Sequence, residues 1–155
     1  MKTADQWLDE YAESHTDSTN ALLHWICVPL IVISLIGLLW SVPVPAAFQK
    51  ISPALNWGTT FLMAAVVYYF IISLSLAFGI LPFIVMVVAA VVWLDSLSMP
   101  LYLTSAAIFV AAWIGQFIGH VIEGKKPSFF KDLQFLMIGP LWLLAKVYRR
   151  LGVPY

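Results

Sequence analysis

A long segment almost without charge occupies the middle of this chain. Between residues 18 and 122 only Lys50 and Asp95 carry a formal charge, and the other charged residues lie toward the two ends. Over the whole chain 62% of the residues are hydrophobic and 10% are charged, whereas soluble domains are roughly 45–50% apolar and about 25% charged. The pattern excludes an ordinary soluble core and predicts a membrane-embedded helical bundle with polar ends.

Composition excludes further classes of protein. Eight Lys and Arg residues offset eight Asp and Glu residues, and a chain without a basic field is not expected to bind nucleic acid. Cys27 is the single cysteine, which excludes an intrachain disulfide and a cysteine-rich zinc site. A chain of 155 residues supplies one bundle of a few spans, so we expect a single membrane-embedded domain over residues 1–155.

The hydropathy pattern predicts an all-α fold with about four transmembrane spans and two flanking helices. Thr3 is a plausible N-cap for an amphipathic helix over residues 3–14 at the membrane surface. The four spans are predicted over residues 21–40, 59–78, 82–94 and 101–122. The third is short because Gly79-Ile80-Leu81-Pro82 predicts a break before it. A last apolar segment over residues 133–147 is interrupted by Gly139-Pro140, which favours an interfacial or re-entrant helix.

Four crossings would bring the start of the first span and the end of the fourth to the same membrane face. His24 and His120 would then share that face. Lys125 and Lys126 follow the fourth span, whereas Lys50 lies on the opposite side. Because cytoplasmic loops carry an excess of Lys and Arg, we expect the histidine face to be cytoplasmic. The membrane is then a bacterial inner membrane or that of the endoplasmic reticulum.

The histidines are the strongest candidates for chemistry. His15, His24 and His120 are the only histidines in the chain, and all three fall near the predicted cytoplasmic edge. Gln116, His120 and Glu123 are spaced i, i+4 and i+7, so they share one stripe of a helix. Ionisable residues within a membrane are costly and mark functional sites by default. Three imidazoles and a carboxylate suit Fe(II) in a non-haem oxygenase site, and zinc accepts the same ligands.

Two motifs in the chain resemble a family of small membrane proteins related to the 2-hydroxy fatty acid dioxygenase of fatty acid α-oxidation. The first motif, YAESHTDSTNALLHWICVP, contains Tyr11, His15, Asn20, His24 and Pro29. The second motif, WIGQFIGHVIEGKKPSF, contains Trp113, Gln116, Gly119, His120, Glu123 and Pro127. The motifs lie toward opposite ends of the chain, so the resemblance covers nearly its whole length.

The resemblance implies an Fe(II)-dependent dioxygenase in membrane lipid that uses O2 to shorten a 2-hydroxy fatty acid by one carbon. The catalytic metal ligands that it implies are His15, His24 and His120. Glu123 is then a fourth ligand or a carboxylate that orients an imidazole. Asn20 and Gln116 would support the site through hydrogen bonds, and Lys125 or Lys126 would steer the substrate carboxylate.

Two other classes of function stay open from the sequence. A transport or binding protein would use the same histidines and Glu123 to carry protons or a metal ion across the membrane. A structural four-span scaffold would use the histidines for packing alone. An assay for bound metal separates these alternatives, because the scaffold hypothesis predicts that no metal binds.

Overall fold

The computed structural model describes residues 3–13, 15–124 and 135–155. Every regular element in these residues is helical. The α-helices, numbered here in chain order, are α1 (Ala4–Ala12), α2 (Ser18–Trp40), α3 (Ala46–Ile51), α4 (Trp57–Ile72), α5 (Leu74–Asp95), α6 (Leu101–Ile122) and α7 (Ile138–Leu151). A short 3₁₀ helix, Phe135–Met137, precedes α7. The all-α fold predicted from the sequence is confirmed.

Four apolar helices form the body of the molecule. Among the described residues α2, α5 and α6 are long and apolar enough to cross a membrane. The apolar helix α4 has 16 residues and is about 24 Å long at 1.5 Å per residue, somewhat less than the roughly 30 Å hydrocarbon core. α2 packs against α4, α5 and α6. The architecture is therefore a helical membrane bundle with α2 as its shared element.

Contacts at the two ends of the bundle define the path of the chain. At one end Gly58, at the start of α4, lies against Ile36, near the end of α2. At the opposite end the Tyr69 hydroxyl donates a hydrogen bond of 3.0 Å to the carbonyl of Met137. Near this second end Gly119 of α6 approaches Asn20 of α2. The start of α2 and the end of α6 thus lie together, as four crossings require.

The break between the second and third spans lies at Ser73, so the prediction of a break at Gly79–Pro82 was wrong. The side chain of Ser73 accepts a hydrogen bond of 3.3 Å from the backbone N–H of Leu76 and caps α5. Pro82 lies inside α5 and does not end it. Such a proline is tolerated in a membrane helix when neighbouring groups satisfy the freed backbone carbonyl. The third span therefore has 22 residues and is not short.

Helices α1 and α7 pack across the end of the bundle where α2 begins. Thr3 caps α1 through a capping box with Gln6, which confirms the predicted cap. The buried residues Leu8 of α1 and Leu141 of α7 belong to one apolar cluster that also includes residues of α2, α4 and α5. The predicted last helix is present, and these two helices close the end of the bundle that carries the histidines.

Candidate metal centre

Three buried imidazoles converge at the end of the bundle closed by α1 and α7. His15 lies between α1 and α2, His24 lies on α2, and His120 lies near the end of α6. One candidate ligand atom from each residue lies within 4.8 Å of the other two, and the ring centroids are 4.1–5.4 Å apart. Each histidine is at most 8% exposed. Two distant parts of the sequence therefore supply one compact set of nitrogen donors.

Backbone carbonyls orient two of the three imidazoles. Nδ1 of His15 donates a hydrogen bond of 2.6 Å to the carbonyl of Tyr11, and Nδ1 of His24 donates one of 2.9 Å to the carbonyl of Asn20. Because a carbonyl only accepts, both Nδ1 atoms carry the hydrogen and both Nε2 atoms keep a lone pair. Nε2 of His15 is buried and makes no hydrogen bond within the described part of the chain. A metal ion would satisfy such a nitrogen.

Two aromatic rings pack against His15. The ring of Tyr11 stacks on the imidazole with a centroid distance of 4.2 Å and an interplanar angle of 6°. The ring of Trp142, on α7, lies 5.2 Å from the imidazole centroid and 5.3 Å from that of Tyr11. Both aromatic residues are buried. They restrict the rotation of the imidazole and keep water from its faces.

Glu123 joins the end of α6 to the start of α2. Its carboxylate accepts hydrogen bonds from the backbone N–H of Thr16 at 2.7 Å and from the Thr16 hydroxyl at 2.8 Å. The second carboxylate oxygen accepts a hydrogen bond from the side-chain amide of Asn20. The backbone carbonyl of Asn20 in turn accepts from His24. Glu123 therefore reaches an imidazole through Asn20, while both of its oxygens already have donors.

Burial and hydrogen bonding give the site one neutral base and one anion at neutral pH. Burial lowers the pKa of His15 to about 4, against the opposing effect of the hydrogen bond to Tyr11. Burial alone would raise the pKa of Glu123, but hydrogen bonds from Asn20 and Thr16 lower it to about 2. Neutral imidazole is the form that binds metals. The site is thus poised to bind a cation without first losing a proton.

Two cavities reach the histidines. The interior cavity, which lies beside His24, Gln116 and Trp113, has a volume of about 20 Å³ and is otherwise mostly apolar. That volume holds about one water-sized molecule. The second cavity, named here the α1–α7 cleft, has a volume of about 250 Å³. It is lined by Leu8, Ala12, His15, Thr16, Trp142, Ala145, Lys146 and Arg149. The cluster is therefore approached from an apolar side and from a basic side.

Most of the side chains predicted for the site lie together in the structure. The predicted residues at or beside the cluster are His15, Asn20, His24, Gln116, His120 and Glu123. Lys125 and Lys126, predicted to steer a substrate carboxylate, lie outside the described residues.

Sequence reasoning missed three residues at the site, which are Thr16, Trp142 and Lys146. Tryptophan is typical of membrane interfaces, so Trp142 by itself does not indicate a metal site. The i, i+4 spacing of Trp142 and Lys146 indicates a shared face of α7, but only the packing of α7 places that face beside the histidines.

Comparison with known proteins identifies the family of the chain. The sequence model of a family described as 2-hydroxy-palmitic acid dioxygenase Mpo1-like matches residues 1–151. A curated protein of Saccharomyces cerevisiae, named 2-hydroxy-palmitic acid dioxygenase MPO1, is 26% identical over 144 residues, which cover 92% of this chain and 78% of the yeast protein. No solved structure matches the chain significantly. The matched range contains the positions of all three histidines.

Proposed function

Because the chain belongs to the 2-hydroxy-palmitic acid dioxygenase Mpo1-like family, we propose that it is a membrane oxygenase that uses O2 to shorten 2-hydroxy fatty acids by one carbon. The observation that carries the proposal is the convergence of His15, His24 and His120 at one buried point. The name of the yeast relative supports the class of substrate and reaction. The histidine cluster indicates where in the molecule this reaction would occur.

The proposed cofactor is Fe(II), held by the three histidines. The chemistry of the donor set fits it, because neutral imidazoles suit iron and leave further coordination positions open. The buried, unbonded Nε2 of His15 supports the same assignment. Fe(II) bound here would supply the O2 chemistry that protein side chains lack. Glu123 would then position His24 through Asn20 rather than act as a fourth ligand.

The chain's own residues would bind and orient the substrate. The apolar side chains that line the interior cavity beside His24 would have to move apart to receive the first carbons of the acyl chain, because its volume of about 20 Å³ holds about one water-sized molecule. An adjoining apolar cavity of about 30 Å³, which shares Leu136 with it and extends between α2, α4 and α5, would continue this path on the same condition. The rings of Tyr11 and Trp142 would exclude water from the reacting end of the acid. Gln116, which lines the interior cavity, would donate a hydrogen bond to the bound acid.

We propose further that the histidine end of the bundle faces the cytoplasm. The described cations of α7, Lys146, Arg149 and Arg150, lie at this end, whereas Lys50 follows α2 at the other. Cytoplasmic segments are enriched in Lys and Arg. The membrane would be a bacterial inner membrane or that of the endoplasmic reticulum.

The test is a reaction with purified protein loaded anaerobically with Fe(II). After addition of 2-hydroxypalmitic acid and air, O2 uptake and product mass are followed together. We expect O2-dependent formation of an acid one carbon shorter, which a chelator abolishes, and no consumption of palmitic acid, which lacks the hydroxyl group. Bound metal without consumption of the hydroxy acid would favour the transport alternative. Absence of both would favour the scaffold.

A further inference from the structure

The α1–α7 cleft contains a positive charge for which the described residues supply no negative partner. Lys146 is half-buried, and its ammonium lies 3.5 Å from the centroid of the Trp142 ring. No ion pair that includes Lys146 occurs in the described part of the chain; the pair found beside it joins Arg149 to Asp9 at 3.9 Å. The cation–π contact with Trp142 holds the ammonium against a wall of the cleft, and an ammonium donates hydrogen bonds to anions. The cleft is therefore suited to an anionic ligand.

Arg149, the other cation of the cleft, is already engaged. Its Nε donates a hydrogen bond of 2.7 Å to the hydroxyl of Tyr155, and its guanidinium lies 5.8 Å above the Tyr155 ring. Its remaining nitrogen contact is the carboxylate of Asp9. Arg149 is thus partly engaged by Tyr155 and Asp9, whereas Lys146 makes no hydrogen bond or ion pair within the described part of the chain.

Trp142 connects Lys146 to the histidine cluster. The two residues are one turn apart on α7, so they share a face of the helix. The indole ring of Trp142, which the ammonium of Lys146 contacts, lies 5.2 Å from the ring of His15. His15 also lines the cleft directly. The cation and the cluster therefore face the same space.

We infer that Lys146 binds the carboxylate of the 2-hydroxy acid in the α1–α7 cleft and so places the hydroxyl-bearing carbon beside His15. The inference rests on the proposed function, from which it takes the substrate class. It assigns the basic cleft to the polar end of the acid. A cleft of about 250 Å³ accommodates a carboxylate and its neighbouring carbon.

The test measures binding rather than turnover. Protein in lipid nanodiscs, with chelator present, is titrated with 2-hydroxypalmitic acid and with its methyl ester, which keeps the hydroxyl and the chain but lacks the charge. We expect the wild type to prefer the acid by roughly 10- to 100-fold, the size of a charge-assisted hydrogen bond. Lys146→Met should abolish the preference, and Lys146→Arg should retain most of it.

Two further variants make the result specific. Lys50→Met, at the other end of the bundle, should leave the preference unchanged. Lys146→Gln also removes the positive charge but keeps a polar side chain. It is measured in place of Lys146→Met if that variant does not fold. An undiminished preference for the acid in a folded variant without the Lys146 charge overturns the inference, as does a wild type without any preference. A preference that depends on Lys146 in a protein that consumes no O2 upholds the carboxylate site and refutes the oxygenase function.

Discussion

The side-chain amide of Asn20 donates a hydrogen bond to the carboxylate of Glu123, which ties the first turn of α2 to the end of α6. The backbone carbonyl of the same asparagine accepts a hydrogen bond from His24. One residue thus couples a helix–helix contact to the orientation of an imidazole. Ligand-supporting contacts of this kind contribute to metal affinity although they do not touch the metal.

Removal of the Glu123 carboxylate should weaken metal binding without abolishing it. For Glu123→Ala we expect Fe(II) affinity to fall roughly 10–100-fold, the usual effect of losing a residue that orients a ligand. Glu123→Gln keeps one acceptor oxygen for Thr16 and should lose less. Anaerobic titration against a competing chelator measures both, with Asp95→Asn at the far end of the bundle as the control. A loss as complete as that caused by removing a histidine would make Glu123 a direct ligand.

A methyl group added at Gly119, on α6, should disturb the contact between α2 and α6 at Asn20. A Cβ at this position would collide with the side chain of Asn20, so α6 would have to move away from α2. We expect Gly119→Ala to lower the free energy of unfolding by about 1–3 kcal/mol, as overpacking of a core does, and to weaken metal binding. Thermal unfolding in detergent tests this. Val121→Ala, on the exposed face of α6, is the control, and equal stability of the two variants would refute the tight contact.

The pKa of His15 predicts how stability of the metal-free protein depends on pH. The folded-state value of about 4 lies below the ordinary value of 6.5, so the unfolded chain binds more protons between these values. Stability should therefore fall as pH decreases from about 6.5 to 4 and should not change through His15 above 6.5. Glu123, whose pKa is lowered from 4.5 to about 2, should change the stability only below about pH 4.5.

Unfolding measured across this range, in the wild type and in His15→Gln, tests the assignment. The variant should lose part of the slope between pH 6.5 and 4. A folded-state midpoint near 6.5 for the His15 ring, observed by NMR, would show that the imidazole is not desolvated as the structure describes.

Much of the fold could be predicted because hydropathy determines which segments enter a membrane. The first and fourth spans and the cap at Thr3 follow from apolar runs and local hydrogen bonding. The break at Ser73 could not be predicted in the same way, since serine within an apolar run carries a weak signal for the end of a helix. Gly79 and Pro82 carry a strong signal for a break, yet both lie within α5. Packing against neighbouring helices overrides their local preference.

The histidines of the candidate site could be predicted from the sequence, whereas its surroundings could not. The three histidines are scarce and ionisable, so they stand out in a sequence otherwise poor in charge. Thr16 and Trp142 reach the site only through tertiary contacts, one with Glu123 and the other with His15. Their residue types are common at helix ends and membrane interfaces, and spacing alone does not distinguish these roles.

The most direct test of the histidine site compares the wild type with three single variants in which alanine replaces His15, His24 or His120. Bound Fe(II) and O2 uptake with 2-hydroxypalmitic acid are measured on the same samples, with Ser34→Ala as a buried polar control on α2. We expect about one iron per chain and coupled O2 uptake in the wild type and control. We expect loss of both in every histidine variant that keeps its fold. Retention of iron and O2 uptake by any folded histidine variant would contradict this expectation.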